Sequence, residues 1–85
     1  MNDQYQDLIE LSDFYILSQQ YDESIKILKR AEKLCKSDAK LYYNLGIAYE
    51  ALNEASDARD AFRLALKLNP EYKSAQDHLD RLIEE

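Results

Sequence analysis

Residues 42 to 70 read YYNLGIAYEALNEASDARDAFRLALKLNP, and the spacing within them decides the fold. Tyr42, Leu45, Gly46 and Tyr49 recur at i, i+3, i+4 and i+7, and Ala55, Ala58, Phe62 and Ala65 also recur at helical spacing, i, i+3, i+7 and i+10. That periodicity predicts two amphipathic helices lying side by side. Gly46 costs about 1 kcal/mol relative to alanine inside a helix, which a sequence tolerates where another backbone must come close. Tyr49 and Phe62 are then expected to fill the space that Gly46, Ala58 and Ala65 leave open.

The order of these residues resembles the signature of the tetratricopeptide repeat, whose period is 34 residues. Stepping back one period from Leu45, Tyr49, Ala65 and Leu68 gives Leu11, Tyr15, Ala31 and Leu34, an apolar or small residue in every case. Gly46 maps to Ser12 and Ala58 to Ser24, both still small, while Tyr42 maps to Leu8 and Phe62 to Leu28. Pro70 maps to Lys36, a departure confined to the turn between repeats. Stepping forward from Leu45 and Tyr49 gives Leu79 and Ile83, which continues the pattern into a fifth helix. The resemblance implies an all-α fold, a right-handed superhelical stack of antiparallel helix hairpins. It comprises one repeat at about 5–38, a second at about 39–72 and a capping helix at about 70–84.

Working outward, helix one is expected over Asp3 to Leu17 with an inner stripe of Leu8, Leu11, Ser12 and Tyr15. Ile9, Phe14, Ile16 and Leu17 are a surplus that one stripe cannot hide, and with no preceding repeat to cover that side two placements of Phe14 and Tyr5 are open: exposed or against another chain, or folded over the hairpin's own edge. Helix two follows from Asp22 to Leu34, buries Ile25, Leu28, Ala31 and Leu34, and shows solvent a basic strip of Lys26, Lys29, Arg30 and Lys33. Ser37 or Asp38 is placed to cap helix three (Ala39 to Leu52), Asn53 to cap helix four (Ala55 to Leu68), and Asn69 to cap a fifth helix that starts at Pro70 and runs to Ile83. On helix five Ala75, Leu79, Leu82 and Ile83 face inward, and Lys73, Asp77, Asp80, Arg81 and Glu84 face outward. Asp80 stands in the register of Gly46, and a carboxylate pressed against a second helix without a partner would cost several kcal/mol. Helix five is therefore expected to cap the stack.

Composition limits the chemistry. The 85 residues make one domain, and a single glycine and a single proline disfavour a β fold rich in tight turns. A net charge of −6 repels phosphate backbones and anionic lipid, which argues against nucleic acid and membrane partners. The start of the chain (Met1, Asn2, Asp3) shows no basic leader and no apolar run nears the roughly 18 residues of a membrane span, so a cytoplasmic protein or a piece of a larger one is expected. Cys35 is the lone cysteine and is read as a half-buried thiol at a helix end. Gly46 alone cannot build a phosphate loop, and His78, the only histidine, has no second ligand at metal spacing, so no cofactor, metal or catalytic constellation is expected.

In the family that the sequence resembles, the first helices of successive repeats line a concave surface that binds peptides or partner proteins. By register that surface holds three columns: Ile9, Tyr43 and Asp77; Glu10, Asn44 and His78; Asp13, Ile47 and Arg81. Tyr43 is the expected anchor, and the Asn44 amide is placed to meet a ligand backbone. One subgroup of the family grips the terminal carboxylate of chaperones with lysines, asparagines and an arginine. Here Ile9 and Ser74 stand where lysines are expected, Asp13 where an asparagine is and His78 where an arginine is, so no such clamp is predicted. The expected ligand is instead basic and apolar, bound by a non-catalytic module that is a monomer or weak homodimer. The alternative is a self-assembling unit, or a fragment of a longer array, that associates through Phe14, Ile16 and Leu17 on its first helix.

Overall fold

A computed structural model describes residues 3–84, and the side chains of Asp3 and Glu84, including the outward placement expected of Glu84, lie outside the described residues. The helices are α1 (Asp3–Leu17), α2 (Tyr21–Leu34), α3 (Ala39–Ala51), α4 (Ala55–Leu68) and α5 (Lys73–Glu84). α1 with α2 and α3 with α4 form antiparallel hairpins; α2 packs on α3, and α5 closes against α4. Among the described residues there is no strand, and no helix is long and apolar enough to cross a membrane.

The core follows the repeat. Leu28, Ala31, Leu41, Ala58, Phe62, Ala65 and Ala75 are fully buried, and burying a leucine or phenylalanine side chain contributes about 1.5–3 kcal/mol. Phe62 lies against Gly46 as the residue sizes imply: a Cβ on Gly46 would stand 2.5 Å from the Phe62 ring. In the first hairpin the same station holds Ser12 opposite Leu28, both fully buried. The smaller leucine leaves room for the hydroxyl, which donates to the Ile9 carbonyl at 2.7 Å. The Ser24 hydroxyl, at the station of Ala58, donates to the Ser12 carbonyl at 3.1 Å and ties α2 to α1.

The two hairpins turn in the same way. The N–H groups of Gln19 and Gln20 reach the carbonyls of Ile16 and Tyr15, and those of Asn53 and Glu54 reach Glu50 and Tyr49. Each is the pair of hydrogen bonds that closes a helix around a left-handed residue, and Gln19 and Asn53 have φ of 62° and 63°. Asn53 thus ends α3 instead of capping α4, whose N-cap Glu54 makes no side-chain bond. Asp38 does cap α3 through the Lys40 N–H.

Four further expectations are corrected. α5 begins at Lys73, not Pro70, because Asn69 first closes a turn, its side chain accepting from Glu71 N–H and its carbonyl from Tyr72 N–H. Leu11 leaves the inner stripe and is 36% exposed, since no described helix covers that side of α1, and Leu34 and Ile83, both expected to face inward, are likewise exposed near the ends of α2 and α5. Of the two placements open to each, Phe14 stays 58% exposed, while Tyr5 takes the folded-in one and is buried. Its hydroxyl donates to Asp38 Oδ2 at 2.8 Å and fastens α1 to the link before α3. Burial, and then the Asp38 carboxylate, push the Tyr5 phenol far above its ordinary range. Tyr42 makes the matching tie to Glu32 at 2.9 Å and is pushed up to about 12, by burial first and that carboxylate second.

Candidate partner-binding groove

α3 crosses α1 at the middle of the first hairpin, and the contact is polar. The Asn44 amide donates to Ser12 Oγ at 3.1 Å and to Asp13 Oδ1 at 2.8 Å, and Asn44 is buried. Lys40 reaches the other oxygen of Asp13 at 3.5 Å. Beside this clasp a groove of about 360 Å³ lies between Asp13, Ile16 and Leu17 on α1 and Lys40, Tyr43, Asn44 and Ile47 on α3. Leu17 is 84% exposed at its lip.

The expected columns are rearranged accordingly. Asp13, Tyr43 and Ile47 do line the groove. Ile9 does not: where α3 lies over α1 it is 4% exposed and belongs to the core with Tyr5 and Leu8. Asn44 lines the groove too, but both N–H groups of its amide are given to Ser12 and Asp13. Glu10 is exposed and accepts from Gln6 at 3.4 Å. Ile16 and Leu17 line the groove, whereas Phe14 is 58% exposed and does not.

Tyr43 anchors a second cluster at the α5 side of the groove. Its ring stacks on Tyr72 at 4.9 Å and meets Phe62 and His78 at 6.0 and 5.9 Å. The Tyr72 phenol is raised by burial first, then by Tyr43, Asp38 and Asp13. His78 is not a free surface histidine: it stacks on Phe62 at 5.2 Å and 13°. Its Nδ1 lies 2.8 Å from Glu50 Oε1 and 2.8 Å from Arg81 Nη2. Nδ1 can donate to Glu50 or accept from Arg81, and the ring's tautomer decides which. Asp77 accepts from Lys73 at 2.9 Å on the exposed face of α5, which raises the Lys73 ammonium pKa. Asp77, His78 and Arg81 thus sit apart from Ile16 and Leu17, joined to them only through Tyr43.

Lys40, Glu50 and Tyr72 were missed by the sequence reading. Lys40 and Glu50 lie three residues before Tyr43 and after Ile47 on the same helix face, a spacing that would have found both. Tyr72 sits in a turn, where helical periodicity says nothing.

Family models match the chain twice, as a TPR repeat over residues 13–53 and as a tetratricopeptide repeat over residues 39–72. The chain belongs to the tetratricopeptide repeat family. The second match spans α3, α4 and the turn that carries Tyr72. No curated protein matches the chain. Repeats of this family generally mediate protein–protein interaction and are typically non-catalytic.

Proposed function

We propose that the groove between α1 and α3 binds a short segment of a partner protein, seating one apolar side chain among Ile16, Leu17, Tyr43 and Ile47. The observation that supports this reading is Leu17, a leucine left 84% exposed beside other apolar groups. Apolar surface lining a concavity is where a partner side chain gains most from leaving water. α1 carries Asp3, Asp7, Glu10 and Asp13 and no basic residue, which favours a segment bearing Lys or Arg. Asp13 is already met by Lys40 and Asn44, so apolar contact supplies most of the affinity and rising salt weakens it only moderately. A chaperone-type carboxylate would meet the acidic α1, with Lys40 already engaged by Asp13, and is disfavoured as the ligand.

Calorimetric titration with two synthetic peptides tests the reading: one apolar and lysine-bearing, the other identical but with glutamate for lysine. The basic peptide is expected to bind more tightly at low salt, and Leu17→Asp to abolish binding while the helical circular dichroism is retained. Equal or tighter binding of the acidic peptide, or binding indifferent to Leu17→Asp, would refute it.

A further inference from the structure

The stripe Leu41, Leu45 and Ala48 turns α3 towards the hairpin before it, and Ala75, Leu79 and Leu82 turn α5 towards α3 and α4; all six residues are buried. In the same register α1 carries Asp7, Leu11 and Phe14, and no described helix covers them. α2 extends this open face. Glu23, Lys26, Ile27 and Arg30 occupy the stations of Asp57, Asp60, Ala61 and Leu64, which α4 directs at the cleft it shares with α2. The face has an apolar centre of Leu11, Phe14 and half-buried Ile27. At one end, because α1 and α2 run antiparallel, it brings together Asp7 and Arg30. Among the described residues neither of these has an ion pair or a side-chain hydrogen bond.

A helix seated here as α2 is seated on α3 would meet a phenylalanine ring where Ala48 offers a methyl group, and would bury Asp7 where Leu41 is fully buried. The face is therefore unsuited to another hairpin of the stack. It is suited to itself. A two-fold axis along the helices lays α1 of one copy over α2 of the other, so that Asp7 meets Arg30 twice and Leu11 and Phe14 close on the apolar centre. We infer that this chain forms a homodimer through the α1–α2 face, held by Leu11, Phe14 and reciprocal Asp7–Arg30 pairs. A helix of 15 residues is about 22 Å long, and two side by side are roughly 20 Å wide. The contact then covers roughly 450 Å² per copy, about half that of a standard stable interface, so the dimer is weak and depends on concentration.

Sedimentation equilibrium of the full chain over a concentration series tests this, with the substitutions at exposed positions and circular dichroism confirming the fold. The wild type is expected to follow a monomer–dimer equilibrium, with Phe14→Asp monomeric throughout. Asp7→Arg and Arg30→Asp are each expected to weaken association by about tenfold, with the double variant close to wild type. Leu17→Asp, which disables the proposed peptide groove, is expected to leave the dimer intact, so the two readings fail separately. A wild type that stays monomeric up to its solubility limit, a dimer indifferent to Phe14→Asp, or a double charge reversal that restores nothing would overturn the inference.

Discussion

Leu11 and Leu45 hold the same station in the two hairpins, yet Leu11 is 36% exposed and Leu45 is 3% exposed. The residues beside them differ in the same sense: Asp7 and Phe14 flank the first, Leu41 and Ala48 the second. A repeat sequence thus encodes a shape twice but encodes each face once, according to what lies against it. The backbone register is common property of the two hairpins. The chemistry of each exposed or covered flank is local.

The sharpest way to break this comparison is to truncate both leucines. Leu45→Ala removes a side chain enclosed between α2 and α3, and a buried leucine replaced by alanine costs about 2–5 kcal/mol through lost burial and the cavity left behind. For a chain of this size that is a large share of total stability. Leu11→Ala leaves no cavity, and its expected cost is below about 1 kcal/mol. Urea denaturation followed by circular dichroism measures both at protein concentrations too low for association. Similar losses from the two variants would mean that Leu11 is covered after all and that the first hairpin's outer face is misassigned.

A second comparison concerns paired stations. Gly46 faces Phe62 in one hairpin and Ser12 faces Leu28 in the other, and the small and large members compensate. Gly46→Ala would gain about 1 kcal/mol of helix propensity. Its methyl would stand 2.5 Å from a fully buried ring with no free space to move into, so the net effect expected is a loss of about 1–3 kcal/mol. Adding Phe62→Leu recreates the first hairpin's pairing, and Gly46→Ala with Phe62→Leu should lose less than the two single changes summed. Thermal or urea unfolding of all three variants reads the coupling directly. Strict additivity would show that ring and glycine do not constrain each other.

The helices and the register were legible because both rest on the spacing of apolar residues, and Leu28, Ala31, Phe62 and Ala65 are buried where that spacing puts them. The groove was only half legible. Asp13, Tyr43, Asn44 and Ile47 line it where register put them, but Ile9 was assigned to it and is buried in the core. Register tells which residues are equivalent, not how steeply one helix crosses the next, and the crossing decides which members of a column are covered. Asn44 adds a chemical reason: an amide with a serine and a carboxylate within reach binds those in preference to waiting for a ligand. His78 escaped for a similar cause, since Glu50 and Phe62 are each on a different helix from it. The start of α5 was misread because an Asn-Pro pair opens a tight turn as readily as a helix.

The turns give the finest test of how far the two hairpins differ. Gln19 and Asn53 adopt the same left-handed conformation and close the same pair of backbone hydrogen bonds. A side chain with a Cβ is strained there, by about 1 kcal/mol for most residues, and asparagine bears it better than glutamine because its short amide bonds locally. Glycine relieves the strain at either site but adds freedom to the unfolded chain. Gln19→Gly is therefore expected to stabilise the protein by a few tenths of a kcal/mol, up to about 1, while Asn53→Gly should change it by less than half as much. Precise urea midpoints, with the denaturant slope held common, resolve such a difference. A larger gain at Asn53 than at Gln19 would mean that the strain in these turns is not set by the side chain at the left-handed position, but by how tightly each hairpin pulls its two helices together.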